Sequence, residues 1–456
     1  MNRLESGLLT ILFFELFAGG GGRQIEFGPI SIRQLLFVLL LVSYSYRLIS
    51  NRETRVELKE LLINKNLVAI FSISLLIWIG VSACIGLING HQLGEIIKDS
   101  LRVSYIILIF PFWTYIRKER FSIEKVISVL KIATVVVSIG TIIIGLCGKY
   151  FFVNDFKAFY QFINELLPAD LFFRPSRGVF YKSHFIVLFG LILSSNNFIS
   201  NRVKKIDIAI LVLASVSIIY SETRGLYIGY LLALLAILVI NGFIYYFAKA
   251  KGKKVSRKNK KLIVPVIFYL CAFTIVPTLY TSSTQSRFND SVDQSNIFES
   301  SKKGLKKPTG GSKQVNDVSV NMRVYLFEES AKIIKKSSAN AIIGNGYGSV
   351  IGSRTDGIEM TFLDILVEQG LIGVLLWLGF SMLPAFYYLA YIFRHSELDS
   401  TSVALLACVL TMIAITNINP FLNSPIGLGF LLPVIISAKR LEIEKERVAL
   451  YQNNSH

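Results

Sequence analysis

Asn66-Leu-Val-Ala-Ile-Phe-Ser-Ile-Ser-Leu-Leu-Ile-Trp-Ile-Gly-Val-Ser-Ala-Cys-Ile-Gly-Leu-Ile88 decides the class of this chain. The stretch holds no charged side chain and has the length that crosses a hydrocarbon core, roughly 18–25 residues as a helix. Working outward, similar apolar stretches read at 6–19, 30–49, 101–116, 124–146, 178–196, 206–220, 224–247, 261–280, 369–393, 401–416 and 424–438. Twelve spans in all are expected, and they must be helical, because open strands would leave backbone polar groups unpaired in lipid. Composition agrees. Of 456 residues, 53% are hydrophobic and only 17% charged, whereas a soluble domain carries about a quarter charged residues. The mean hydropathy is +0.55.

The net charge of +18 invites a nucleic-acid reading. Its densest run, Lys249-Ala-Lys-Gly-Lys-Lys-Val-Ser-Arg-Lys-Asn-Lys-Lys261, lies between two apolar spans instead. Cytoplasmic loops collect Lys and Arg for reasons of topology, so no nucleic acid is expected as a partner. With the N-terminus in the cytoplasm the loops sort themselves. Arg47, Arg52, Arg55 and Lys59, then Arg117, Lys118 and Arg120, then Arg202, Lys204 and Lys205, the Lys249–Lys261 run and the tail from Lys439 fall inside. Outside fall Gly19-Gly-Gly-Gly22, segments 89–100 and 148–177, the long loop 281–368, and Asn417–Ser424. No cleavable leader is read at the N-terminus.

The expected organisation is therefore nine helices over 1–280, a large extracytoplasmic loop at 281–368, three further helices over 369–438 and a cytoplasmic tail at 439–456. A loop of that length is more than a connector. In its second half Val320, Val324, Phe327, Ala331 and Ile334 recur at helical spacing, which predicts an amphipathic helix near 320–336 lying on the body by that face. A second such helix is expected over Phe156–Leu167.

Cys84, Cys147, Cys271 and Cys408 all sit in apolar spans without CxxC or metal-ligand spacing, and the four histidines are scattered. Neither a metal nor a cofactor is expected. Gly344-Asn-Gly-Tyr-Gly348 follows no strand, so it does not read as a dinucleotide loop, and no P-loop occurs. Chemistry must then come from ionisable groups bordering lipid, which are costly there. Arg177, Lys182, His184, Glu222, Arg224, Asp364 and Glu368 lie near outer span ends, and Arg177, Arg224, Arg287, Arg323 and Arg354 share that side. Guanidinium forks suit phosphate. Each arginine taken singly is equally a headgroup contact, and Glu222 with Arg224 equally an interfacial ion pair.

Four pieces in order resemble the O-antigen polymerase and O-antigen ligase superfamily. Ser221-Glu-Thr-Arg-Gly225 resembles its Ser-x-x-Arg-Gly junction between two spans. Arg323-Val-Tyr-Leu-Phe-Glu-Glu-Ser-Ala331 and Ile343-Gly-Asn-Gly-Tyr-Gly-Ser349 resemble its long-loop arginine helix and glycine-rich sequel. Glu359 through Gly373 resembles the re-entry into the membrane, and Asn419-Pro-Phe-Leu-Asn-Ser-Pro425 the turn before the final span. The resemblance implies an all-helical, GT-C-like membrane glycosyltransferase in the bacterial inner membrane. It would act at the outer face on undecaprenyl-diphosphate-linked oligosaccharide, in company with membrane lipid, a chain-length regulator and a flippase. Ligases of this superfamily keep a His-Asn pair upstream of the glycine matching Gly370, where this chain has Glu359-Met360. That departure favours a polymerase of O-antigen or capsular type over a ligase. A lipid-linked sugar transporter is disfavoured by the single asymmetric loop, since transporters often show paired halves. On this reading Glu359 is the catalytic base, with Asp356 its rival. Arg177, Arg224 and Arg323 bind the diphosphate, and Arg323 also stabilises charge during transfer.

Overall fold

The computed structural model describes residues 1–22, 26–27, 30–63, 66–168, 170–174, 177–252, 263–279, 318–354, 358–418 and 420–454. Arg287, Asp356, Asn419 and the front half of the long loop lie outside the described residues, as does most of the 249–261 basic run. Its helices are α1 (Arg3–Ala18), α2 (Ile32–Ser50), α3 (Arg52–Ile63), α4 (Leu67–Ile88), α5 (Leu93–Val103), α6 (Ile109–Tyr115), α7 (Ile123–Leu146), α8 (Phe156–Leu166) and α9 (His184–Ile199). They continue as α10 (Lys205–Tyr220), α11 (Arg224–Ala250), α12 (Ile263–Leu279), α13 (Val318–Lys335), α14 (Ser338–Ile343), α15 (Thr361–His395), α16 (Ser400–Ile415) and α17 (Pro425–Asn454). Two short hairpins, β1 (Glu26–Phe27) with β2 (Ile30–Ser31) and β3 (Leu171–Phe173) with β4 (Val179–Tyr181), are antiparallel.

Among the described residues, α2, α4, α7, α11 and α15 are long and apolar enough to cross a membrane. Shorter apolar helices cover His184–Ile199, Ile263–Val276 and Ser400–Ile415. The protein is a multi-pass helical membrane protein. Its buried core runs through nearly all of these helices, with α9, α16 and the first half of α17 almost wholly enclosed.

Three boundaries differ from the sequence expectation. The stretch 101–116 is not one helix: α5 gives way to a 3-10 turn over Ser104–Leu108 before α6. Pro111 lacks an N–H and its ring crowds the carbonyl of Ile107, which tightens the preceding turn. The stretch 178–196 begins as strand, because Leu171, Phe173, Val179 and Tyr181 bury alternate side chains in a hairpin and α9 starts only at His184. Lastly, α15 starts at Thr361, eight residues before 369, and breaks at Gly370 (φ 67°, ψ −171°).

The helix predicted near 320–336 turns a different face to the body from the one its spacing suggests. Leu326 and Ser330 are buried, and Met322, Tyr325, Ile333 and Ile334 pack with Ile351, Ile358 and Val367. Val324 and Phe327 are 44% and 58% exposed. The helix carries apolar side chains on two arcs, and the one facing Ile351, Ile358 and Val367 is covered. The side chain of Val320 lies outside the described residues.

Polar contacts tie together loops expected on the same side. At one end Arg47 pairs with Glu5 (2.8 Å), Arg120 with Glu53 (3.0 Å), Lys118 with Glu444 (2.5 Å) and Arg394 with Glu442 (2.9 Å). At the other end Gly21 N–H donates to Asp170 (2.7 Å) and Asn89 to the carbonyl of Asn345 (2.9 Å).

Candidate functional site

The site grows from the way the long loop returns to the membrane. The break at Gly370 leaves carbonyls at the end of the first α15 turns without helical partners. Other segments supply donors: Asn345 N–H to Val367 O (2.7 Å), Gly346 N–H to Glu368 O (3.0 Å), Ser82 Oγ to Glu368 O (2.9 Å) and Trp78 Nε1 to Gln369 O (2.9 Å). Glycine is needed for this approach. A Cβ on Gly370 would stand 2.3 Å from Ile342 O, and one on Gly344 2.4 Å from Glu368 O. The run Gly344–Gly348 is thus a cap for a broken helix. Its Tyr347 is buried, and burial holds the phenol well above its ordinary pKa, so it stays protonated.

Seated on this base, Arg323 of α13 and Glu359 come together. Arg323 Nη2 lies 3.4 Å from Glu359 Oε2 and donates to Ile418 O at 3.3 Å. Their side chains are 32% and 47% exposed, so the pair is open to a ligand. The Arg323 Nε is buried without an acceptor among the described residues. The floor is pinned by Thr361 Oγ1 donating to Thr416 O (3.0 Å) and Phe362 N–H donating to Asn417 Oδ1 (3.1 Å).

A second group of arginines surrounds the Ser221–Gly225 junction. Arg174, which carried no signal in the sequence, donates to Ser221 O (3.1 Å) and Thr223 Oγ1 (3.1 Å) and stacks on Phe180 at 5.4 Å. Arg177, at φ 65°, donates to Gly148 O (2.9 Å) and Val153 O (3.2 Å) and covers the Phe156 ring at 4.7 Å. Its carbonyl accepts from Tyr220 Oη (3.0 Å). Arg224 opens α11 with an exposed side chain. One turn and a half further, a Cβ on Gly229 would meet Ile415 at 3.3 Å, and Ile415 is three residues from the Ile418 that binds Arg323. At about 1.5 Å of rise per residue, Arg224 stands on the same end of the helix bundle as the Arg323–Glu359 pair.

Asp364 and Glu368 face neither group. They are buried around Arg102 of α5, a residue the sequence reading passed over because it opens an apolar stretch. Among the described residues no cluster of His, Cys, Asp and Glu is arranged to hold a metal ion.

Comparison with known proteins fits this geometry. Residues 209–378 match the family model described as O-antigen ligase, a window that contains the Ser221–Gly225 junction, Arg323, the glycine run and Glu359. The chain is also 26% identical over 443 residues to a protein of Shigella flexneri named O-antigen polymerase, covering 96% of this chain and 95% of that one. The chain is thus similar to members of the O-antigen polymerase and ligase superfamily.

Proposed function

We propose that the protein is a polymerase that joins undecaprenyl-diphosphate-linked oligosaccharide repeats into O-antigen or capsular-type polysaccharide at the outer face of the bacterial inner membrane. The observation that carries this reading is the half-exposed pair of Arg323 and Glu359, 3.4 Å apart where the long loop re-enters the bundle. Alignment of nearly the whole chain with the Shigella flexneri polymerase supports polymerase over ligase. So does Glu359-Met360 in place of the ligase His-Asn pair.

In the proposed reaction Glu359 takes the proton of an acceptor sugar hydroxyl as its oxygen attacks the anomeric carbon of the donor repeat. The bond from that carbon to the diphosphate breaks, and undecaprenyl diphosphate leaves with the electron pair. Arg323 and Arg224 neutralise the charge that develops on it, and their planar forks suit two oxygens at once. Arg177 stands at the rim, where diphosphate would have to replace its carbonyl partners at Gly148 and Val153. The proton on Glu359 passes to the leaving diphosphate or to water, restoring the base.

The test is reconstitution in liposomes with a synthetic undecaprenyl-diphosphate repeat. A ladder of products is expected. A single adduct on an added acceptor would mark a ligase, and movement of substrate without new bonds a transporter. The twelve-span topology and outward loop are supported by the loop charges and by contacts that join loops of like assignment. In a cysteine-free background, an impermeant maleimide should label a cysteine at Gly310 in spheroplasts and spare one at Lys253. The reverse pattern would move the site to the cytoplasm.

A further inference from the structure

One guanidinium beneath the site gathers three carboxylates. Arg102 Nη2 lies 3.2 Å from Asp364, 3.5 Å from Glu368 and 3.7 Å from Asp99. All three carboxylates are buried. A cluster so unbalanced is a poor source of stability, since burying charge costs several kcal/mol per ion and an apolar filling is often as good or better. What the cluster does supply is direction. Asp364 turns Oδ2 to Arg102 and accepts the Ile358 N–H on Oδ1 at 3.1 Å. Asp99 in turn accepts the Gly348 N–H at 2.9 Å. Ile358 precedes Glu359 directly, and Gly348 ends the glycine cap. The Ile358 N–H, next to Glu359, and the Gly348 N–H, at the end of the glycine cap, are thus held by two carboxylates that converge on a single nitrogen.

We propose that Arg102 is a positioning residue that holds the Glu359 carboxylate against Arg323, acting through Asp364 and the neighbouring Ile358 N–H. The proposal rests on the reading of Glu359 as the base. Lysine does not take the place of Arg102, because its ammonium stands one bond nearer the backbone than Nη2 and on a flexible stem, short of the point where the carboxylates converge. Asp364→Asn removes the charge that Arg102 grips while keeping the shape of the side chain. Both changes should let the segment drift, and a misplacement of about 1 Å at a reacting group costs roughly a hundredfold in rate.

Two measurements on the full-length protein in nanodiscs test it. In the first, a nitroxide on Glu359→Cys in a cysteine-free background should give an immobilised spectrum. Adding Arg102→Lys or Asp364→Asn should make that spectrum mobile. An unchanged spectrum in both overturns the proposal. Asp364→Asn stands in if Arg102→Lys fails to accumulate. In the second, Arg102→Lys should lower kcat roughly tenfold to a hundredfold with little change in KM. In a Glu359→Gln background the same change should cost less than about twofold, because residues acting as a unit are not additive. Equal losses in both backgrounds overturn the positioning role. If the label is freed while Glu359→Gln polymerises normally, the anchoring stands and the assignment of the base falls.

Discussion

Arg177 and Arg323 carry the same guanidinium at the same end of the bundle and use it in opposite ways. Arg177 spends its two Nη groups on the carbonyls of Gly148 and Val153 and lies flat on Phe156. Arg323 makes two long contacts, one of them to a carboxylate that is itself half exposed, and keeps a buried Nε without an acceptor among the described residues. An arginine committed to backbone carbonyls shapes a loop, whereas one in loose contact with an accessible acid has capacity left for a ligand. Residue type and side of the membrane are alike in the two cases, so only the partners separate them.

The widest gap between the two regions is expected at Glu359. Glu359→Gln keeps the shape and cannot accept a proton, so the rate of ladder formation by purified protein should fall about a hundredfold or more. Asp356→Asn, measured beside it, should stay active; a dead Asp356→Asn with a normal Glu359→Gln would move the base. Arg323→Lys comes next, with a loss of roughly tenfold to a hundredfold at normal membrane accumulation, because a point charge lacks the second parallel donor. Arg224→Lys should lose about tenfold, the worth of one charge-assisted hydrogen bond. Near-normal ladders from both lysine variants would leave these arginines as headgroup contacts. The smallest effect on rate belongs to Arg177→Lys. Its loss of loop contacts should cost about 1–2 kcal/mol of stability, seen as a lower melting temperature, with turnover per folded molecule within about twofold. A rate loss equal to that of Arg224→Lys would instead return Arg177 to the diphosphate.

Much of this was legible in the residues. Each apolar stretch read from the sequence overlaps a helix, although 101–116 is broken and 178–196 opens as strand, because hydrophobic length locates a segment without fixing its local conformation. The short Ser221–Gly225 connection and Arg323 stand out as turn and ionisable residues on one side of the apolar runs, whereas Glu359 is reached only through the resemblance, at the position of the ligase His-Asn pair. The Arg102 cluster was not: Asp99 is a local neighbour, but Asp364 and Glu368 lie 262 and 266 positions along the chain and no local pattern joins them to Arg102. Arg174 escaped for a related reason: it sits in a hairpin too short to show a period, and its partners are the backbone and hydroxyl of another connection. The face of α13 was misread because apolar residues occupy two arcs of that helix, and periodicity cannot say which arc the body will cover. Nor does a lone glycine announce whether it will bend a helix, as Gly370 does, or sit inside one.

The break at Gly370 also dictates an order of biogenesis. Its freed carbonyls at Val367, Glu368 and Gln369 cannot be left bare in hydrocarbon. Their donors are Trp78 and Ser82, synthesised almost three hundred residues earlier, and the glycine run that immediately precedes α15. As the ribosome delivers α15, then, α4 has already been made, and the glycine run must fold onto both helices before those carbonyls are satisfied. The helix is settled by a partner made long before it, so early spans serve as the template on which the late, site-bearing end of the chain is completed.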